Sequence, residues 1–366
     1  MEKGKISSLQ MAMLLYPTIV ATAILSVPSI TAKYAKQDLW MSPIIASFIG
    51  FITVFIAVRL HKLYPDQTII QMSQQIVGQV LGKVISFFIL FFYIHINGEI
   101  IREYAEFIVS SFLFQTPITV IIASMTLLCG LAVYGGLEVV GRAAQLFFPL
   151  FVIPILLFVP LLSPNFELGS MLPILERGML PPIKGAIVTS GWFTEFFLII
   201  FLLPFLVDKD KGMKYGMMTV LAVMVTLTVV NLVVLWTLGV TTSSKEYPLM
   251  NAGRYISYAD FFENVEAVIM AVWIIGAFVK VSVLYYAAVL GTAQWLDLAD
   301  YRPIVWPVGI FLVQFSFWSF PNTMEISRFN ILTFPFYGFF IQTMVPLLLL
   351  VIAVIKKRKQ AGGKAG

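Results

Sequence analysis

Two ionisable residues stand isolated in long apolar runs, and they are the first places to look for chemistry. Glu195 closes the segment Thr189-Ser190-Gly191-Trp192-Phe193-Thr194-Glu195, and Lys280 sits in the stretch from Val272 to Leu290. If those runs cross a membrane, a charge at mid-depth costs at least ~2.5–3.5 kcal/mol, so each needs a reason to be there. Glu195 can serve as partner for a ligand amine, as a proton-binding group, or as half of a structural ion pair with Lys280. A third group is the stripe His95, Glu99, Arg102, Glu103 and Glu106, whose spacing puts most of its members on one helical face. The stripe reads as ion pairs with neighbouring helices, or as a polar wall leading water, protons or solute from the outer side. Two aromatic–polar pairs at i, i+4 spacing, Tyr93 with Asn97 and Ser282 with Tyr286, suit a compact ligand site. Lys280 and Ser282 lie roughly 200° apart around a helix, so they cannot both face one cavity.

None of these patterns is that of an enzyme. The chain lacks a glycine-rich phosphate loop, HExxH, CxxC and a nucleophile elbow. His61, His95 and Cys129 are its only histidines and cysteine, too few for a metal site of that kind. No cofactor and no metal is expected.

The elements that must position these residues follow from composition. Of 366 residues 59% are apolar and 12% charged, with a mean hydropathy of +0.92. A soluble domain averages roughly 45–50% apolar and about 25% charged, so too few charges are present to cover a globule in water. That excludes a cytosolic enzyme, a disulfide scaffold, a disordered chain and a nucleic-acid binder, and it makes the lipid bilayer the solvent. With about 20 residues needed per crossing, ten spans are predicted: Met11–Ile30, Pro43–Leu60, Val84–Phe107, Ile118–Val133, Ala143–Leu162, Ile187–Val207, Gly216–Leu238, Val265–Ala288, Ile304–Phe320 and Phe334–Ile355. Barrel alternation is absent, which leaves helices. A cytoplasmic N-terminus puts 15 Lys and Arg in the inner segments and 8 in the outer ones, so both termini are expected inside. The basic run Lys356–Lys359 reads as a stop-transfer flank. Segments Ser163–Ala186 and Thr241–Asn264 are the two long outer connections, as lids or as plain connectors.

Residues 1–366 thus form one all-α transmembrane bundle. Its ten helices divide into five and five, 11–162 and 187–355, with 356–366 a basic tail. Since five is odd, the second half runs inverted, the plan of many transporters, and that plan predicts broken helices at the start of each half. Thr22, Ala23, Ile24 and Leu25 in the first span, followed by Pro28, match Ser190, Gly191, Trp192, Thr194 and Glu195 in the sixth. Unwound backbone there would present N–H and C=O groups to a buried solute. Close helix packing is the structural alternative.

At these positions the chain resembles a family. Lys5-Ile6-Ser7-Ser8-Leu9-Gln10, the run ending Ile24-Leu25-Ser26-Val27-Pro28, and Tyr93 followed by Arg102-Glu103-Tyr104-Ala105-Glu106-Phe107 look like the B subunit of spore germination nutrient receptors. That family is similar to permeases of the amino acid–polyamine–organocation superfamily. The resemblance implies a LeuT-like bundle with discontinuous helices 1 and 6, holding a small-molecule germinant, an amino acid by default, near the bilayer middle. It also implies A and C partner subunits and the spore inner membrane. Many relatives have glycine where this chain has Ala21-Thr22-Ala23, which implies a narrower break. In sodium-coupled members of the resembled fold a cation lies between helices 1 and 8, so Lys280 would replace that ion. A germinant sensor, a proton-coupled amino-acid permease using Glu195, and a water or ion conduit along Glu99, Arg102, Glu103 and Glu106 all use the same residues.

Overall fold

The computed structural model describes residues 2–256 and 265–362, and within them the regular elements are helices, joined by loops and one isolated bridge between Ile6 and Leu206. The helices are α1 Ser8–Ala35, α2 Met41–Leu63, α3 Ile69–Val77, α4 Gln79–Ser111, α5 Ile118–Gly135, α6 Leu137–Leu162, α7 Leu180–Thr194, α8 Ile199–Leu202, α9 Gly212–Leu238, α10 Pro248–Gly253, α11 Val265–Trp295, α12 Val305–Trp318, α13 Thr323–Leu332, α14 Phe334–Phe339 and α15 Val345–Gly362. Nine helical stretches among the described residues are long and apolar enough to cross a membrane, and the bent pair Arg302–Trp318 and Thr323–Leu332 gives a tenth. Residues 257–264 of the second outer connection and 363–366 of the tail lie outside the described residues.

The helices outrun the apolar stretches that predict them. At 1.5 Å per residue, the 33 residues of α4 extend roughly 50 Å, well past a hydrocarbon layer of about 30 Å. Helix α1 begins at Ser8 because Ser7 caps it. The Ser7 hydroxyl accepts from the Gln10 backbone N–H at 3.1 Å, and Gln10 Oε1 accepts from the Ser7 N–H at 2.9 Å.

Only one of the two expected breaks is present. The sixth span stops being α-helical after Thr194, tightens into a 3-10 turn at Glu195–Leu198, and continues through α8 into a second 3-10 turn at Leu203–Phe205. The first span, in contrast, is one continuous α-helix of 28 residues, so the discontinuous helix 1 must be corrected. The reason lies in residue type. Ala21 and Ala23 stand where glycine would release the backbone, and alanine has the highest helix propensity. Pro17 and Pro28 each delete one backbone hydrogen bond without unwinding the helix. The opening is thereby reduced to the Ile24 carbonyl, which Pro28 cannot serve.

Helices α1 and α7 occupy the middle of the bundle: the best apolar windows of the first and sixth spans are 83% and 89% buried, against 22% for the window of α6. They meet along their length and are fastened at the N-terminal face. There Ile6 pairs with the end of the sixth span, its N–H donating to Phe205 O at 3.1 Å and its carbonyl accepting from Val207 at 3.0 Å. Asp208 Oδ1 also accepts the Ser8 backbone N–H at 2.7 Å. The close approach of α11 to α1 requires a glycine, because a Cβ on Gly276 would stand 2.7 Å from that of Ala21.

Candidate functional site

Lys280 reaches from α11 into the contact between α1 and α7. Its Nζ donates to Glu195 Oε1 and Oε2 at 2.9 and 2.8 Å and to Thr22 Oγ1 at 2.7 Å. Both charged side chains are buried, at 1% and 3% exposure, so the pair is fully withdrawn from solvent. Trp192 Nε1 donates to the same Thr22 oxygen at 3.1 Å. Thr22 Oγ1 therefore accepts two hydrogen bonds while its own O–H remains able to donate. It lies in the wall of a small cavity of about 20 Å³, together with Ala21, Leu25, Glu103 and Phe107. That is room for about one water. Above it, the Phe107 and Trp273 rings meet edge-on at 3.9 Å, and Tyr247 packs on both.

On the face opposite the N-terminus a vestibule of about 660 Å³ leads down to Ser26 and Glu103. Glu103 lines both the vestibule and the small cavity. Ser26 donates to Glu103 Oε1 at 3.2 Å. Glu99 is buried one turn below, and its Oε1 has no hydrogen-bond partner.

The sequence candidates separate into groups. Thr22, Trp192, Glu195 and Lys280 come together in one network. Leu25 lines the small cavity, whereas Ala23 and Ile24 are packed in the core. Tyr93 and Thr194 are joined through a residue that pattern reading overlooked: Gln342 Oε1 accepts from Tyr93 at 3.3 Å, and its Nε2 donates to Thr194 at 3.1 Å. Gln342 sits in a π-helical turn, Phe340–Met344, a distortion often found at functional sites. Its signal in the sequence was a lone amide in an apolar run. Asn97 Nδ2 donates to the Val281 carbonyl at 3.3 Å.

Four expectations need correction. Ser190 turns back on its own helix, donating to Ile187 O at 2.7 Å, because it lies on the side of α7 away from α1. Gly191 is a packing residue, since a Cβ there would stand 2.9 Å from the Phe334 ring. Ser282 and Tyr286 do not face the Thr22 centre. Lys280 takes that side of α11, which turns Ser282 toward Cys129 and Tyr286 toward the Tyr301 ring, 6.1 Å away. The polar stripe is also not one wall. Arg102 pairs with Glu106 at 2.7 Å and donates to Pro321 O at 3.2 Å, on the side of α4 facing the α12–α13 bend, while Glu99 and Glu103 face inward. His95 is enclosed by Phe91, Phe315, Phe320, Phe329 and Tyr337.

With this geometry in hand, comparison with known proteins is informative. A family model described as spore germination protein matches residues 5–324. The chain is 25% identical over its whole length to spore germination protein KB of Bacillus subtilis (strain 168), covering 98% of that protein. It is 27% identical to the putative spore germination protein YfkT of the same organism, over 94% of this chain and 95% of that one. Among solved structures, MhsT in complex with L-phenylalanine superposes with a TM-score of 0.64 at 13% identity, over 96% of this chain and 89% of MhsT. The nucleobase-cation-symport-1 family transporter MHP1 does so with a TM-score of 0.65 at 9% identity, over 90% and 75%. The fold is that of the LeuT-type transporters.

Proposed function

This chain belongs to the spore germination protein family, and from that premise we propose that it is the germinant-sensing membrane subunit of a nutrient receptor. In this reading it binds a small molecule, an amino acid by its chemistry, beside Thr22 near the middle of the bundle. Occupancy stabilises one arrangement of the helices, and A and C subunits read it. The ligand shifts that equilibrium only by its difference in affinity between the two arrangements. The spore inner membrane is the proposed location, with both termini on the core side.

The observation that carries the reading is Thr22. Two donors, Lys280 and Trp192, converge on its oxygen, so its proton is directed to an acceptor elsewhere. A ligand carboxylate is such an acceptor once the one-water cavity beside Thr22 widens to admit it, and the Ile24 carbonyl freed by Pro28 suits an amine. The amino acid bound in MhsT, which has the same fold, lends support to the ligand class. Lys280 serves here as a fixed cation between α1 and α11, the first and eighth spans, which removes the need for sodium. Sodium-stimulated binding by the purified protein would overturn that role.

The test is a thermal-shift screen of amino acids, sugars and nucleosides on the purified chain. A ligand present at about 100 times its Kd adds roughly 2.7 kcal/mol to stability and raises Tm accordingly. Thr22→Val should abolish the ligand-induced shift, and a shift unchanged in that variant would refute the site. A second reading, a proton-coupled amino-acid permease, is favoured by one feature: the bundle is fastened at the N-terminal face and open at the other. Uptake into proteoliposomes driven by a pH gradient would establish it, whereas saturable binding without flux supports sensing.

A further inference from the structure

Between the vestibule and the central ion pair, acid outnumbers base. Glu195, Glu99 and Glu103 face this region, and among the described residues Lys280 is the cation that meets them. Lys280 is committed to Glu195 at 2.8 and 2.9 Å, and Arg102 on the other side of α4 is committed to Glu106 at 2.7 Å. Glu99 and Glu103, one turn apart on α4 and 4% and 6% exposed, are left without a cation of their own. Two adjacent buried carboxylates do not both hold their charge unaided; they take up a proton or an external cation. Ser26 donates to one oxygen of Glu103, and Oε1 of Glu99 meets no partner at all.

The vestibule above has the opposite sign at its mouth. Lys33, Lys245 and Arg328 line it against Glu246, and Glu325 stands 4.0 Å from Arg328, which leaves Lys33 and Lys245 to set the sign. A molecule carrying a carboxylate is drawn to that basic mouth, and the acidic floor below it holds an ammonium group. A basic mouth above an acidic floor sorts for zwitterions and orients them.

We propose that the vestibule floor, Glu103 with Glu99 beneath it and Ser26 and Asn330 beside it, is a subsite for the primary ammonium group of a zwitterionic amino acid, which enters amine first before it reaches Thr22. The three N–H donors of an ammonium match Glu103, the free oxygen of Glu99 and the Ser26 hydroxyl. Because Glu103 borders both the vestibule and the inner cavity, the same carboxylate receives the amine from outside and keeps hold of it while the ligand's carboxylate turns in to Thr22. The subsite deepens the amino-acid reading above, yet it stands on its own residues.

The experiment places a cysteine at Ser26, where the buried Cys129 is the only native thiol. Purified Ser26→Cys protein in lipid nanodiscs is treated with methanethiosulfonates of similar length, one bearing a primary ammonium and one a sulfonate. The ammonium reagent is expected to react about tenfold faster or more, and the ratio to collapse in Glu103→Gln and shrink in Glu99→Gln. Glycine, alanine, valine or phenylalanine should slow the ammonium reagent, while the N-acetyl derivative of the same amino acid should not. Equal rates, a preference that survives Glu103→Gln, protection by the N-acetyl form, or no protection by any amino acid each overturns the subsite. If Ser26→Cys does not fold, Ser29→Cys in the same vestibule wall carries the comparison. The Thr22→Val thermal-shift test judges the central site separately, so failure of one reading is distinguishable from failure of the other.

Discussion

At the scale of single residues, the centre is held by a buried ion pair whose members come from different helices. Lys280 is worth little as a source of stability, because desolvating two charges costs about as much as their attraction returns. Losing one partner is another matter. Glu195→Gln leaves an ammonium without its counter-charge, and a loss of about 3–5 kcal/mol is expected. Lys280→Met leaves a bare carboxylate at similar cost. The double variant Glu195→Gln/Lys280→Met should be markedly more stable than the two single losses predict when added, as read by Tm in detergent across all four proteins. Simple additivity would mean that the pair is not coupled. Of these residues, Glu195 and Lys280 were readable as lone charges in apolar runs. Their direct pairing stood among the alternatives that the sequence offered; that Thr22 and Trp192 would join it was not legible, because the network draws on three helices distant in the chain.

Among the elements, the N-terminal clip and the interrupted sixth span act together. Ser8 donates its N–H and its hydroxyl to Asp208 Oδ1, at 2.7 and 3.0 Å, which ties the start of α1 to the end of the sixth span. Partial burial works against the charge on Asp208, but the Ser8 hydrogen bonds and Lys211 outweigh it and set its pKa below the usual aspartate value. A carboxylate with a depressed folded-state pKa stabilises fully above its unfolded pKa and loses that contribution as pH falls through the folded value. The clip is therefore intact at neutral pH and loosens only below the ordinary aspartate range. Asp208→Asn should lower Tm by a few degrees at pH 7, and the gap to the parent should close as pH falls below about 4. A gap that widens in acid would contradict this account. Helix α1 also shows a limit of pattern reading: a small-residue run with a proline has two outcomes, unwound or helical, and alanine in place of glycine decided for the helix.

For the whole molecule, the asymmetry between its two faces sets the direction of access. One face is closed by the Ile6 pairing, by Ser8 on Asp208 and by the Lys209–Asp66 ion pair. The other opens to Glu103. With the N-terminus inside, a cysteine placed at Ser327 in the vestibule wall should react with a membrane-impermeant maleimide added outside intact cells expressing the chain. A cysteine at Ser7 should react only after permeabilisation. The reverse pattern would invert the proposed orientation.

The sequence by itself determined the environment, the number of spans within the bent pair's ambiguity, the family, and which charges had to be explained. Those properties are sums over local composition, and the bilayer enforces them span by span. Tertiary structure alone decided what each polar residue faces. Lys280 and Ser282 are two positions apart yet serve opposite sides of α11; Arg102 and Glu103 are neighbours yet face the α12–α13 bend and the vestibule. A helix turns by about 100° per residue, so a small rotation set by close packing, such as Ala21 against Gly276, fixes every facing at once. That rotation depends on contacts between helices distant in the chain, and no local pattern encodes it.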